Sequence, residues 1–148
     1  MTIKDKGYKD FQKRLQSLGK VVIEIGAHGQ NNGISNHDIF VNAEIGNPSR
    51  GLVARAPVRK TIRDNHNLDN YRNIIVNLVR QTNCNVKQVA NGLAETIRAG
   101  IVTTIMRGLE PELTEPYKTR KVKEGFTELP FIRTKNFVHS IVAKPRFK

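Results

Sequence analysis

Near the start of the chain apolar residues recur at spacings of three and four, at Tyr8, Phe11, Leu15 and Leu18, with Lys9, Lys13 and Arg14 between them. That period predicts a short amphipathic helix, stopped by Gly19. Val21-Val22-Ile23-Glu24-Ile25 is β-branched and apolar, with Val21, Ile23 and Ile25 on one face, and predicts a strand ended by Gly26. From 26 to 35 the three glycines Gly26, Gly29 and Gly33, with Asn31 and Asn32, read as a flexible loop. Neither Gly-x-Gly-x-x-Gly nor a Gly-Lys-Ser/Thr ending is present, so this loop lacks the spacing of a phosphate cradle.

Helical spacing returns at Ile39, Phe40 and Ala43, with Ile45 a further candidate for the buried face. A helix over 37–45 is predicted, capped by Ser35 or Asn36, with Asp38 in the first turn where the helix dipole favours negative charge. Gly46 stops it, Asn47-Pro48-Ser49-Arg50-Gly51 forms a loop, and Pro57 suits the first turn of a helix reaching about Asn65. The pair of stretches Ala43-Glu44-Ile45-Gly46 and Val53-Ala54-Arg55-Ala56-Pro57-Val58-Arg59 reads as a structural joint. In it Glu44, Gly46, Arg55 and Pro57 fix where two layers meet.

After a predicted break at Asn65-His66-Asn67 come two longer stripes. Tyr71, Ile74, Ile75, Leu78 and Val79 define a helix over 68–81. Val86, Val89, Ala90, Leu93, Ile97, Ile101 and Ile105 define another over 85–106, with Asn83-Cys84-Asn85 as the turn and Asn85 a candidate N-cap. Such stripes are far more often core than a ligand face. Gly92 and Gly100 within the second helix cost helix propensity, which close packing against a neighbouring backbone would explain, and so would chance. Residues 109–131, with Pro111, Pro116 and the run Lys118-Thr119-Arg120-Lys121-Val122-Lys123, read as an extended basic arm, and loops of that length are usually functional or interaction segments. Phe137-Val138-His139-Ser140-Ile141-Val142 is a candidate last strand, able to pair with Val21–Ile25, followed by a basic tail at Lys144, Arg146 and Lys148. The pattern amounts to a single α+β domain over 1–148. It combines a small antiparallel sheet with two long helices, shorter N-terminal and middle helices, and the arm.

Charge changes the picture most. The 148 residues carry 25 Lys+Arg against 13 Asp+Glu, a formal net charge of +12, which points to an anionic partner or to neutralisation by neighbouring copies in an assembly. The single cysteine, Cys84, allows no internal disulfide and no Cys-based zinc cage. The N-terminus has no apolar run behind it, so no signal peptide is expected, and Ala99 to Met106 is too short to span a bilayer. His28, His37, His66 and His139 have no metal-ligand spacing, and Glu110, Glu112 and Glu115 sit before lysines as counter-charge. With no nucleophile, base and orienter grouped together, neither an enzyme nor a cofactor is expected.

The order of these segments resembles the neck or tail-completion family of tailed bacteriophages, often labelled minor tail proteins. Ala43-Glu44-Ile45-Gly46 matches the family's Asn-Glu-Phe-Gly type segment, and Val53-Ala54-Arg55-Ala56-Pro57-Val58-Arg59 its Ile-Pro-Ala-Arg-Pro-Phe type segment. Leu113-Thr114-Glu115-Pro116-Tyr117-Lys118-Thr119-Arg120-Lys121 is similar to its Leu-Thr-x-x-Thr-x-x-Lys stretch. Leu129-Pro130-Phe131-Ile132-Arg133-Thr134-Lys135-Asn136-Phe137-Val138-His139-Ser140-Ile141 resembles, in degraded form, its late Pro-Leu-Ile-Asp-Thr-Gly segment. The chain departs from the family at Ile45, at Ala56-Pro57 and at Arg133-Thr134-Lys135.

The resemblance implies a virion protein that reaches the neck after assembly in the host cytoplasm. It would form a homo-oligomeric ring, commonly six-fold, joining the tail tube to head-closure or connector proteins around the channel for genomic DNA. No membrane partner is implied. The arm over 109–131 and the N-terminal segment are the expected subunit contacts, with Lys118, Arg120, Lys121, Lys123, Arg133 and Lys135 as contact candidates. The alternative reading is a basic, non-enzymatic nucleic-acid-binding protein.

Overall fold

One antiparallel ladder joins the early and late parts of the chain. The computed structural model describes residues 6–31, 33–81, 85–126, 128 and 135–148, with the backbone alone for Lys6, Asn65, His66, Leu78 and Lys135. Among the described residues the fold is α+β. Its order is α1 (Lys6–Leu18), β1 (Val21–Ala27), β2 (Gln30–Asn31), β3 (Ile34–Ser35), α2 (Asn36–Ile45), α3 (Pro57–Arg63), α4 (Asn65–Arg80), α5 (Val86–Arg107), α6 (Glu115–Lys123), α7 (Lys135–His139) and β4 (Ile141–Phe147). β1 and β4 pair from Val21 opposite Phe147 to Ala27 opposite Ile141. The ladder runs on at both ends, through Lys148 N–H to the Lys20 carbonyl (3.2 Å) and His28 N–H to the Ser140 carbonyl (3.0 Å).

The inner face of this ladder lies on α5, which also packs against α1, α3 and α4. The core gathers Ala27, Phe40, Ile101, Ile105, Leu109, Phe137, Val138 and Ile141. Each fully buried Ile or Phe contributes roughly 1.5–3 kcal/mol relative to exposure, so Ile101 and Ile105 on α5 tie the helix to the ladder and α2. Asn85 caps α5 by accepting from Lys87 N–H at 2.9 Å. Gly100 marks the crossing with α3 and α4: a Cβ there would lie 2.9 Å from the Tyr71 hydroxyl and 3.0 Å from Thr61 Cγ2. At Gly92 a Cβ would meet open space, so packing does not account for that glycine.

Several expectations are corrected. The glycine-rich loop over 26–35 holds a tight hairpin, in which Gln30 faces Ser35 and Asn31 faces Ile34. Ile45 is 66% exposed and does not belong to the buried face of α2. The expected break at 65–67 is confined to Asp64, because α4 begins at Asn65. The last strand begins at Ile141, not at Phe137. Phe137 and Val138 are adjacent and both buried, which a strand with alternating faces cannot achieve but a helical turn can. The strand period is instead carried by Ala143, Lys144, Pro145 and Arg146, inside what read as a basic tail.

The largest difference concerns the arm. Residues 115–123 are helical, and Lys121 is buried at 4% exposure. The local signals explain it: Pro116 stands in the first turn, where its missing N–H costs nothing, Glu115 lies at the positive end of the helix, and Arg120, Lys121 and Lys123 lie at the negative end. The proline opens a helix; it does not break one. Residue 127 and the stretch 129–134, with Arg133, the end of the expected arm and the start of the late resemblance, lie outside the described residues, as do Met1 to Asp5, Asn32 and the turn at Asn83-Cys84.

Candidate functional site

α3 is short and has a poor start of its own. Its N-cap, Ala56, offers no side-chain acceptor, and so its first N–H groups need partners from elsewhere. Glu44 supplies them from α2: its carboxylate accepts from Val58 N–H at 2.9 Å and Arg59 N–H at 3.3 Å, and pairs with Arg59 Nε at 2.8 Å. The Glu44 carbonyl also accepts from the Arg59 guanidinium. The Ala43 carbonyl receives two bonds, from Arg55 N–H (2.8 Å) and Ala56 N–H (2.9 Å), where Ala56 is held at φ 49°. Gly46 has φ 78°, and a Cβ there would sit 2.8 Å from Ala54 N and 2.9 Å from the Leu52 carbonyl oxygen. Only glycine fits that close approach. Glu44, Gly46, Arg55 and Pro57 therefore come together in one junction between α2 and α3.

The junction also holds the chain that follows α5. Arg55 Nε donates to the Pro111 carbonyl at 2.9 Å, and Lys60 Nζ to the Glu110 carbonyl at 2.8 Å. Burial lowers the Arg55 pKa, partly opposed by the nearby Tyr117 phenol, though the guanidinium stays charged at any working pH. Lys118 closes the other side, 2.6 Å from Glu112 and 3.0 Å from Glu115. Those hydrogen bonds raise the Lys118 pKa and hold the Glu112 carboxyl below its ordinary value. Arg120 lies over the Tyr117 ring, 4.9 Å from its centroid, and 3.9 Å from Glu124.

Between the junction, the β2–β3 hairpin and α6 lies an open groove of about 660 Å³. Its walls are mainly apolar, from Ile34, Ile39, Leu52, Val53, Leu113, Tyr117 and Phe137, with Arg55 and Lys121 among them and Glu112 at the side. Ile34 (56% exposed), Leu52 (43%), Val53 (57%) and Tyr117 (41%) leave much of this apolar surface to solvent. Three or four large apolar side chains exposed together mark an interaction surface more often than a chance surface composition. Sequence reasoning missed this groove. Its one local signal was Leu52-Val53, an apolar pair within a loop.

Of the basic contact candidates, Lys118, Arg120, Lys121 and Lys123 lie on α6, while Lys135 opens α7. Lys121 is turned inward, so it cannot serve as a solvent-facing contact; the apolar residue Val122, 50% exposed, faces out beside it. Among the described residues no group of three or more His, Cys, Asp or Glu side chains is arranged to hold a metal ion, and no helix is long and apolar enough to cross a membrane. No protein-family model matches the chain, and neither does any curated protein or solved structure. The site thus rests on its own geometry, which is suited to holding an apolar element.

Proposed function

We propose that the chain is a structural subunit of a tailed-phage neck ring, joining the tail tube to the head-closure complex around the DNA channel. The observation that carries this reading is a pair of complementary apolar surfaces on different parts of one chain. The groove beside the joint is one. The other is α1, where Leu15 is 43% exposed beside the half-buried Phe11 and Leu18 on an otherwise strongly basic helix. α1 carries Lys9, Lys13 and Arg14 against Asp10, and has no acidic residue in its first turn. Of the acidic residues near the groove, Glu112 lines it, exposed and paired with Lys118. An amphipathic helix can lay its apolar face into an apolar groove of this kind.

Placed on two copies, that contact is heterologous: one patch meets a different patch on the next subunit, and repetition closes a ring or extends a filament. We infer that the groove of one subunit takes α1 of its neighbour. The resemblance of the joint segments to the neck family supplies the biological setting. The direct experiment is two-dimensional class averaging of the purified chain. A closed ring of one symmetry is expected, and a chain that stays monomeric up to about 100 μM, well above the micromolar affinity of weak specific interfaces, would overturn the reading. The alternative, a basic nucleic-acid-binding protein acting as a monomer, would show that second outcome together with tight DNA binding.

A further inference from the structure

Part of the net charge of +12 stands in register on one face of the sheet, where the sequence showed only a basic tail. On α6 the basic run is largely engaged: Lys118 by two glutamates, Arg120 by Glu124 and Tyr117, and Lys121 by burial. The outer face of the β1–β4 ladder is different. The end bonds Lys148 to Lys20 and His28 to Ser140 fix the alternation, so that 20/148, 22/146, 24/144 and 26/142 are the hydrogen-bonded pairs. The side chains of those residues share one face. It carries Lys20, Val22 and Glu24 against Lys148, Arg146 and Lys144, all exposed. Arg146 reaches Glu24 at 2.9 Å, which leaves Lys20, Lys144 and Lys148 without an ion pair among the described residues.

We propose that this face binds nucleic acid through its phosphates, without reading bases. Alternate residues of a strand stand about 7 Å apart and neighbouring strands about 5 Å apart. Lys144, Arg146 and Lys148 therefore form a straight row of cations at steps comparable to successive phosphates of one strand, with Lys20 beside them. The opposite face of the same ladder packs on the core through Ile25, Ala27 and Ile141. Lysines are point charges suited to phosphate and not to base edges. Val22 is the one large apolar side chain among these exposed positions, too little for insertion into a membrane, and a Cβ at Gly26 would meet open space, so a polymer backbone can approach closely.

The inference is independent of the ring reading, and its test reads DNA binding while assembly is measured separately. The full chain is titrated against a mixed-sequence DNA duplex of about 30 bp at several salt concentrations, by fluorescence anisotropy. K20A/K144A/K148A is expected to bind at least about tenfold more weakly near 0.1 M salt, with a log–log salt slope shallower by roughly 2 to 3, close to 0.9 for each phosphate left without its cation. R72A/R80A/K87A removes the same charge from α4 and α5 and is expected to change the slope by less than about 1. Glu24→Gln frees Arg146 and is expected to tighten binding, a gain that misfolding cannot mimic. Sedimentation is expected to show the same assembly state for all variants. The proposal is overturned if the sheet variant binds like the wild type, if the control loses as much, or if the wild type ignores DNA, whether or not it then binds an acidic protein.

Discussion

Gly46 shows how a residue can be legible for the wrong reason. In the sequence it is a helix stop, which a C-terminal glycine commonly is. In the fold it also has to admit the backbone of 52–54, with Ala54 N and the Leu52 carbonyl oxygen inside 3 Å of any Cβ. Gly46→Ala is therefore expected to cost about 2–4 kcal/mol in denaturant unfolding, from the positive φ and the backbone clash together. Glu44 is similar: its place in the joint was readable, whereas its capping of a helix beyond the next loop was not, since nothing local announces a remote cap. Tyr71 was read as core, and it is buried, yet its hydroxyl has no hydrogen-bond partner among the described residues. Burial, helped by the charge of Asp64, raises its pKa. Between the unfolded value near 10 and the higher folded value, the folded state holds the proton more tightly, so stability falls as pH rises above about 10. Tyr71→Phe is expected to be neutral or stabilising by up to about 1 kcal/mol and to flatten that alkaline decline in thermal melts followed against pH.

At the scale of elements, helices with long stripes were legible, and so were α2 and α3 from their end signals, whereas α6 was not. α1, α4 and α5 follow from their 3.6-residue period because that period is what packing against a core requires. α6 was hidden by Pro116 and by a run of lysines, although capping, proline and charge order all favoured a helix. β4 was expected with its pairing but placed too early, over 137–142, because Ala143 and Pro145 are weak markers of an inner face. The position of α6 depends on contacts far away in sequence, above all Arg55 to Pro111 and Lys60 to Glu110. R55A/K60A is expected to raise amide hydrogen exchange across 109–123 by about tenfold or more while the centre of α5 stays protected, since local opening is released without loss of the core. Equal protection in both proteins would mean that these bonds do not hold the segment.

For the whole molecule, the sequence reading reached the fold class but neither the groove nor the sheet face. The core-forming period and the chain-end pairing are local or two-body patterns, whereas a groove is built from three separated stretches, at Ile34, at Leu52-Val53 and at Leu113 to Tyr117. The same applies to the cationic sheet face, which needs the register of two strands at opposite ends of the chain. Assembly through the groove makes the sharpest demand, because a head-to-tail contact has two distinct halves that can be spoiled one at a time. Leu15→Asp spoils the helix half and Val53→Asp the groove half, both at exposed positions where folding tolerates the change. Mixing the two purified variants and weighing the particles by native mass spectrometry tests the proposal most directly. The expected result is a ring for the wild type, a monomer for each variant alone, and a mixture that stops at a heterodimer joined by the one intact contact. Either variant assembling like the wild type, or a mixture that stays monomeric while the wild type forms rings, would contradict the groove-to-helix contact.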